Sequence, residues 1–224
     1  DIRPSRGLGD VYKRQPCDLE DFIRGFAIGE GIVDSARAIF DIDQEFGDVC
    51  VAVNATVSNE TAHRLKSRRR SMAGPSGCGL CGIESIEHVT RDILPLQAAN
   101  LPSQAALDNA LSGMRRRQVV SQSTSGAHAA VWCDMDGNIV TLREDVGRHN
   151  ALDKLIGWHS SEPADGFVLV SSRASYEMVA KAATAGIGVL AAVSAPTSMA
   201  IETAKTANLK LIAFASNGRH ALYS

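Results

Sequence analysis

A surplus of charge is the first thing this sequence lacks. Across 224 residues the formal net charge is −2, so no global basic field draws the chain to nucleic acid or to an anionic membrane. No apolar run reaches the roughly 18 residues that suggest a membrane-spanning helix. No charged-then-apolar leader opens the chain either, which makes the cytoplasm the default compartment. Cysteine is sparse, five in all, an odd number without the dense spacing of a secreted disulfide scaffold. What remains is an ordinary globular composition, 45% hydrophobic and 21% charged. It can bury a core in one large domain or two small ones.

The chemistry concentrates in Gly74-Pro75-Ser76-Gly77-Cys78-Gly79-Leu80-Cys81-Gly82. Glycine reaches positive φ at little steric cost and proline fixes its own φ, so this segment is a loop that holds thiols forward. It runs into Ile83-Glu84-Ser85-Ile86-Glu87-His88-Val89, spaced like a helix start. A cysteine there feels the positive end of the helix dipole, which favours its thiolate. A Cys-x-x-Cys of this kind is read as a structural half-site for zinc, a redox dithiol or a sulfur carrier. Structural zinc needs four ligands. Here Cys17, Cys50 and Cys133 are scattered singly, and no His-x-x-x-His occurs. A thioredoxin-like site should follow a strand, yet the preceding Arg68-Arg69-Arg70-Ser71-Met72-Ala73-Gly74 is basic and Gly-rich. The first two readings are weakened and stay open.

The opening fifteen residues show neither helix nor strand period. Their Gly-Leu-Gly-Asp-Val-Tyr-Lys-Arg-Gln string looks like translated sequencing-adaptor read-through, so residues 1–15 are set aside. A short amphipathic helix is expected from Asp18, with Leu19, Phe22, Ile23 and Phe26 on one side and an end near Gly29. Residues 49–57 alternate like a half-buried strand, with Phe40-Asp41-Ile42 as partner. Residues 64–70 are strongly basic and read as a solvated loop, or as a contact to a phosphorylated ligand. Leu101-Pro102-Ser103 opens a helix through Arg117, with Leu107, Leu111 and Met114 inward. Residues 16–118 thus read as an α+β portion carrying the cysteine loop.

From about Val119 the pattern changes, and residues 119–224 read as a second domain. Two apolar strands flank Asp136-Gly137-Asn138, a hairpin signal. Then come a helix with Ala151, Leu152, Leu155 and Ile156, and the buried strand Phe167-Val168-Leu169-Val170. A helix from Tyr176, a strand at 189–193, a helix from Ser198 and a strand at 209–214 follow. The fold class is α/β, a three-layer sheet largely parallel beyond the hairpin. Polar clusters follow the strand ends: Arg143-Glu144-Asp145-Val146-Gly147-Arg148-His149-Asn150, Ser171-Ser172-Arg173, Ser194-Ala195-Pro196-Thr197 and Ala215-Ser216-Asn217-Gly218-Arg219. Open α/β sheets bind ligands outside the carboxyl ends of their strands. Arg143, Arg148, Arg173 and Arg219 with backbone amides would line an anion-binding rim there. The plainer reading is that each cluster is a cap or surface turn.

Several of these segments together resemble the FdhD family of formate dehydrogenase accessory sulfurtransferases. They are Cys78-Gly79-Leu80-Cys81-Gly82, the run from Arg143 through Ala151-Leu152-Asp153-Lys154, Ser171-Ser172-Arg173 with Ser175-Tyr176-Glu177-Met178, and Ser194-Ala195-Pro196-Thr197-Ser198. The resemblance runs from about Asp18 to the C-terminus. It implies a cytidine-deaminase-like C-terminal fold and a sulfur carrier with Cys78 as persulfide position and Cys81 as its partner. Sulfur would come from a cysteine desulfurase and pass to the molybdenum cofactor, in its bis-molybdopterin guanine dinucleotide form, before insertion into formate dehydrogenase. The family's cofactor-binding segment maps to Phe214, Ala215, Ser216, Asn217, Gly218 and Arg219, joined by Arg148 and Arg173 of the rim. Ala213-Phe214-Ala215-Ser216 stands where the family has Gly-Phe and a basic residue. The family's opening strands, ahead of Asp18, are expected to be missing. A homodimer is common for such enzymes.

Two alternatives belong to other classes. One is a zinc-stabilised module that presents the cofactor without covalent sulfur transfer. The other is a zinc deaminase, whose signature is His-x-Glu followed by Pro-Cys-x-x-Cys. His128-Ala129-Ala130 lacks the Glu and no such pair follows. Deamination is excluded, and no metal site is expected.

Overall fold

The computed structural model describes residues 17–47, 51–68, 93–216 and 218–224. Helix α1 (Leu19–Gly29) begins on the acidic pair Glu20 and Asp21, which suits a helix N-terminus, and buries Leu19, Phe22, Ile23 and Ile28. Strands β1 (Ile39–Phe46) and β2 (Val51–Val57) pair antiparallel, Phe46 opposite Val51. Their small sheet meets α1 through Val53, Leu19 and Ile23.

Helix α2 (Asn59–Arg68) corrects an expectation. Of the basic stretch 64–70, residues 64–68 are helical rather than loop, and Arg69 and Arg70 lie outside the described residues. The Ser58 hydroxyl accepts the Thr61 amide at 3.2 Å, a helix cap that the charge of the stretch had obscured.

Helix α3 (Gln104–Arg117) starts where Ser103 accepts the Ala106 amide, and it buries Leu107, Ala110, Leu111 and Met114. These side chains cover one face of the main sheet, against Val131, Phe167, Leu169 and Ile212. A short helix α4 (Val119–Thr124) leads to the hairpin of β3 (His128–Cys133) and β4 (Ile139–Asp145). Gly137 is required at the turn: its φ is +81°, and a Cβ there would lie 1.9 Å from the Ala106 carbonyl oxygen.

Next come α5 (Arg148–Ser161), β5 (Phe167–Val170), α6 (Tyr176–Thr184), β6 (Val189–Ala192), α7 (Ser198–Thr206), β7 (Lys210–Ser216) and β8 (Arg219–Leu222). The strand order is β4-β3-β5-β6-β7-β8. β5, β6 and β7 are parallel, while β3 and β8 run antiparallel to their neighbours. The mixed α/β class and the hairpin-then-alternating order match the sequence reading. Strand β8 was not expected, because Arg219-His220-Ala221-Leu222 shows no period. The central strands are buried on both faces, and all four residues of β5 and of β6 are covered. Each large apolar side chain fully buried this way contributes about 1.5–3 kcal/mol.

Helices α5, α6 and α7 cover the opposite face, through Leu152, Met178, Ala200 and Ala204 against Ala130, Val168 and Leu190. Helix α1 lies over α5, with glycine on both sides of the crossing. A Cβ on Gly25 would sit 1.7 Å from the Asp153 carbonyl oxygen, and one on Gly157 1.8 Å from that of Asp21. A buried ion cluster ties the same helices together. The Lys181 ammonium lies 2.7 Å from Asp153 and 2.8 Å from Glu30. Burial pulls its pKa down, but Asp153 and Glu30 more than offset this and hold it above the ordinary lysine value. Among the described residues no helix is long and apolar enough to cross a membrane.

Candidate functional site

The carboxyl ends of β5, β6 and β7 lie side by side, and the antiparallel pairing brings the start of β3 and the end of β4 to the same edge. His128 of β3 stands opposite Asp145 of β4 there. The β4–α5 turn is held by Asp145, whose Oδ1 accepts the Gly147 amide at 2.9 Å and the Asn150 side-chain amide at 3.1 Å. Its Oδ2 lies 2.9 Å from the Lys154 ammonium, both groups buried. Arg148 is the first residue of α5, and its Nε is buried without a hydrogen-bond partner. His149 Nε2 sits 2.8 Å from Glu177 Oε2, joining the first turns of α5 and α6.

The strand ends are stitched by short polar groups. Ser171 Oγ accepts the Ala129 amide at 2.9 Å, and the Ser194 amide donates to the Ser172 carbonyl at 3.4 Å. Thr197 caps α7 by accepting the Ala200 amide. Arg173, three residues past the end of β5, is exposed.

At the third end the chain does something unusual. Phe214 has φ +53° and is 47% exposed. For a bulky residue this backbone region is an outlier. Its amide donates to the Ser194 carbonyl at 3.3 Å, which binds it to the neighbouring strand end. Ala215 is buried, backbone included, whereas Gly218 and Arg219 are exposed. Gly218 has φ +72°, and its amide donates to Asp108 Oδ1 at 2.9 Å, anchoring the β7–β8 turn on α3.

Of the residues expected on the rim, Arg148, Arg173, Phe214, Ser216, Gly218 and Arg219 share this edge. Asn217, Cys78 and Cys81 lie outside the described residues. Arg143 is a correction. It lies within β4 rather than beyond it, and its guanidinium is held 2.6 Å from Asp21 on α1. The pairing spans 122 residues of sequence, so no local pattern signals it.

Cys133 is fully covered, and burial, helped by Asp134 and opposed by Arg117, pushes its thiol up to about 12. Such a thiol stays protonated and inert. Two features of the rim went unread in the sequence. One is the pairing of His149 with Glu177, which lie in separate motifs. The other is His128, whose pKa burial lowers first, followed by the charges of Arg148 and His149. Its placement depends on strand order, which the sequence around it does not state. Among the described residues no group of three or more His, Cys, Asp or Glu side chains is arranged to hold a metal ion.

An open sheet whose parallel strands end together on one Arg- and Ser-bearing edge defines an α/β protein, and it is outside such strand ends that open α/β sheets bind their ligands. The chain belongs to the FdhD/NarQ family, whose model matches residues 11–224. It is 47% identical over 217 residues to the sulfur carrier protein FdhD of Cupriavidus necator, covering 96% of this chain and 75% of that one. It is 47% identical to the sulfur carrier protein FdhD of Bordetella petrii, covering 93% of this chain and 76% of that one. For the protein of the same name from Acinetobacter baylyi the identity is 44%, with 96% and 80% covered. The crystal structure of a formate dehydrogenase accessory protein from Desulfotalea psychrophila shares the fold, with a TM-score of 0.70 at 24% identity over 93% of this chain and 78% of that one.

Proposed function

We propose that this chain is a cytoplasmic sulfurtransferase in formate dehydrogenase maturation. It takes persulfide sulfur from a cysteine desulfurase onto Cys78 and delivers it to bis-molybdopterin guanine dinucleotide held at the rim. The names of the relatives support the general role. The sulfur step follows from thiol chemistry. The Cys78 thiolate attacks the terminal sulfur of the donor persulfide, a new S–S bond forms, and the donor cysteine leaves as thiolate. No net oxidation occurs. Delivery at the sulfide level balances through Cys81. Its thiolate attacks the inner sulfur of the Cys78 persulfide, a Cys78–Cys81 disulfide forms as the outer S–S bond breaks, and hydrosulfide leaves toward the bound acceptor. A dithiol reductant then restores both thiols.

The observation that carries the acceptor half is Phe214. An exposed aromatic held at positive φ costs of order 1–3 kcal/mol of strain, a cost that clusters at ligand clamps. Its ring offers a stacking face for a guanine. Arg148, Arg173 and Arg219 on the same edge suit the pyrophosphate.

GDP, as half of the guanine dinucleotide, tests the reading. It should bind the 224-residue chain. Arg148→Ala and Arg219→Ala should each weaken it ten- to a hundredfold, the loss of one charge-assisted contact of about 1.5–3 kcal/mol. Parent-like binding by both variants would reduce the rim to ordinary surface.

A further inference from the structure

His128 has no role in the reading above, yet it stands among the groups that would meet the ligand. The elements around it present their charges unevenly. On β4, the Asp145 carboxylate opposite is already engaged by Lys154, Gly147 and Asn150. On α5, Arg148 and His149 act on His128 as like charges. On α6, Glu177 Oε2 lies 2.8 Å from His149 Nε2. Past β5 the chain offers Ser171 and Ser172 before the exposed Arg173. The Asp145 carboxylate is therefore engaged by other partners, while the Arg148 Nε, the His149 Nε2 and the Glu177 Oε2 are buried without a hydrogen-bond partner. Buried polar atoms without partners are few in folded proteins and call for an explanation.

Resting on the rim reading, we propose that an anionic ligand engaging Arg148 is bound together with a proton on His128, so that acceptor recognition is coupled to proton uptake. In the free protein, burial and then the neighbouring cationic groups favour the neutral imidazole. A phosphate seated on Arg148 cancels that repulsion and adds an attraction of its own. The imidazole then holds its proton to higher pH. By linkage, the proton in turn tightens the ligand. The sign is fixed: affinity rises as pH falls through the ligand-bound pKa of His128 and levels off below its free value.

GDP affinity measured from pH 8 to pH 6, in the parent chain and in His128→Gln, tests this. Phosphate monoesters themselves titrate near pH 6, but that contribution is common to both proteins and cancels in the ratio of their affinities. The parent should gain on the variant severalfold across this range, with about a tenfold change per pH unit as the ceiling for one proton. A constant ratio overturns the inference and leaves the rim reading intact. No GDP binding at any pH overturns both. A second readout needs no variant: the NMR titration midpoint of the His128 ring protons in the parent chain should move up when GDP is added. An unchanged midpoint with GDP bound contradicts the coupling.

Discussion

His128 and His159 carry a consequence for stability that is separate from any ligand. His159 stacks on Trp132 with ring centroids 3.9 Å apart, and burial lowers its pKa. His128 is lowered as well. An unconstrained imidazole protonates near 6.5. Below that value the unfolded chain takes up protons that the folded chain resists, so it binds more of them. Stability is thus complete above pH 6.5 and falls as pH drops toward the folded values. His159→Phe keeps a ring on Trp132 and removes one of the two protons. Urea unfolding at pH 7.5 and 5.5 should show a smaller acid loss in this variant than in the parent. An identical loss would mean that His159 titrates normally in the fold. None of this was readable beforehand, since both histidines owe their burial to contacts distant in sequence.

The packing of helices shows where local pattern suffices and where it fails. Leu107, Leu111 and Met114 declared the inward face of α3 by their spacing alone, and Ser103 declared its start. The hairpin at Gly137 was equally plain. By contrast, the crossing of α1 over α5 depends on Gly25 and Gly157, residues that in sequence look like poor helix formers. Their value is the absent Cβ. Gly157→Ala would drive a methyl to 1.8 Å from a backbone oxygen, so the helices must part. Overpacking of this kind costs about 1–3 kcal/mol. Gly126→Ala is the contrast: its nearest neighbour would be 3.6 Å away and it is exposed, so its effect should lie within about 0.5 kcal/mol. Chemical denaturation of the two variants checks this. Equal stability would show that the crossing tolerates a methyl group.

On the scale of the whole molecule, the three parallel strands were legible because they are short and apolar on both faces, and their order placed the polar clusters along one edge. Several features depended on the assembled sheet. β8 has no pattern of its own. Arg143 is diverted to Asp21, and His128 reaches the rim only through the pairing of β3 with β4 and β5. The rim is thus a product of topology, and the thiol loop is a product of local sequence; the proposed function joins them. Its central claim is that Cys78 carries sulfur. The direct measurement is the intact mass of the chain after incubation with a cysteine desulfurase and cysteine. The parent should gain about the mass of one sulfur, removable by a thiol reductant. Cys78→Ala should gain none, and Cys133→Ala should load like the parent, because its buried thiol is raised to about 12. Undiminished loading of Cys78→Ala would contradict the account.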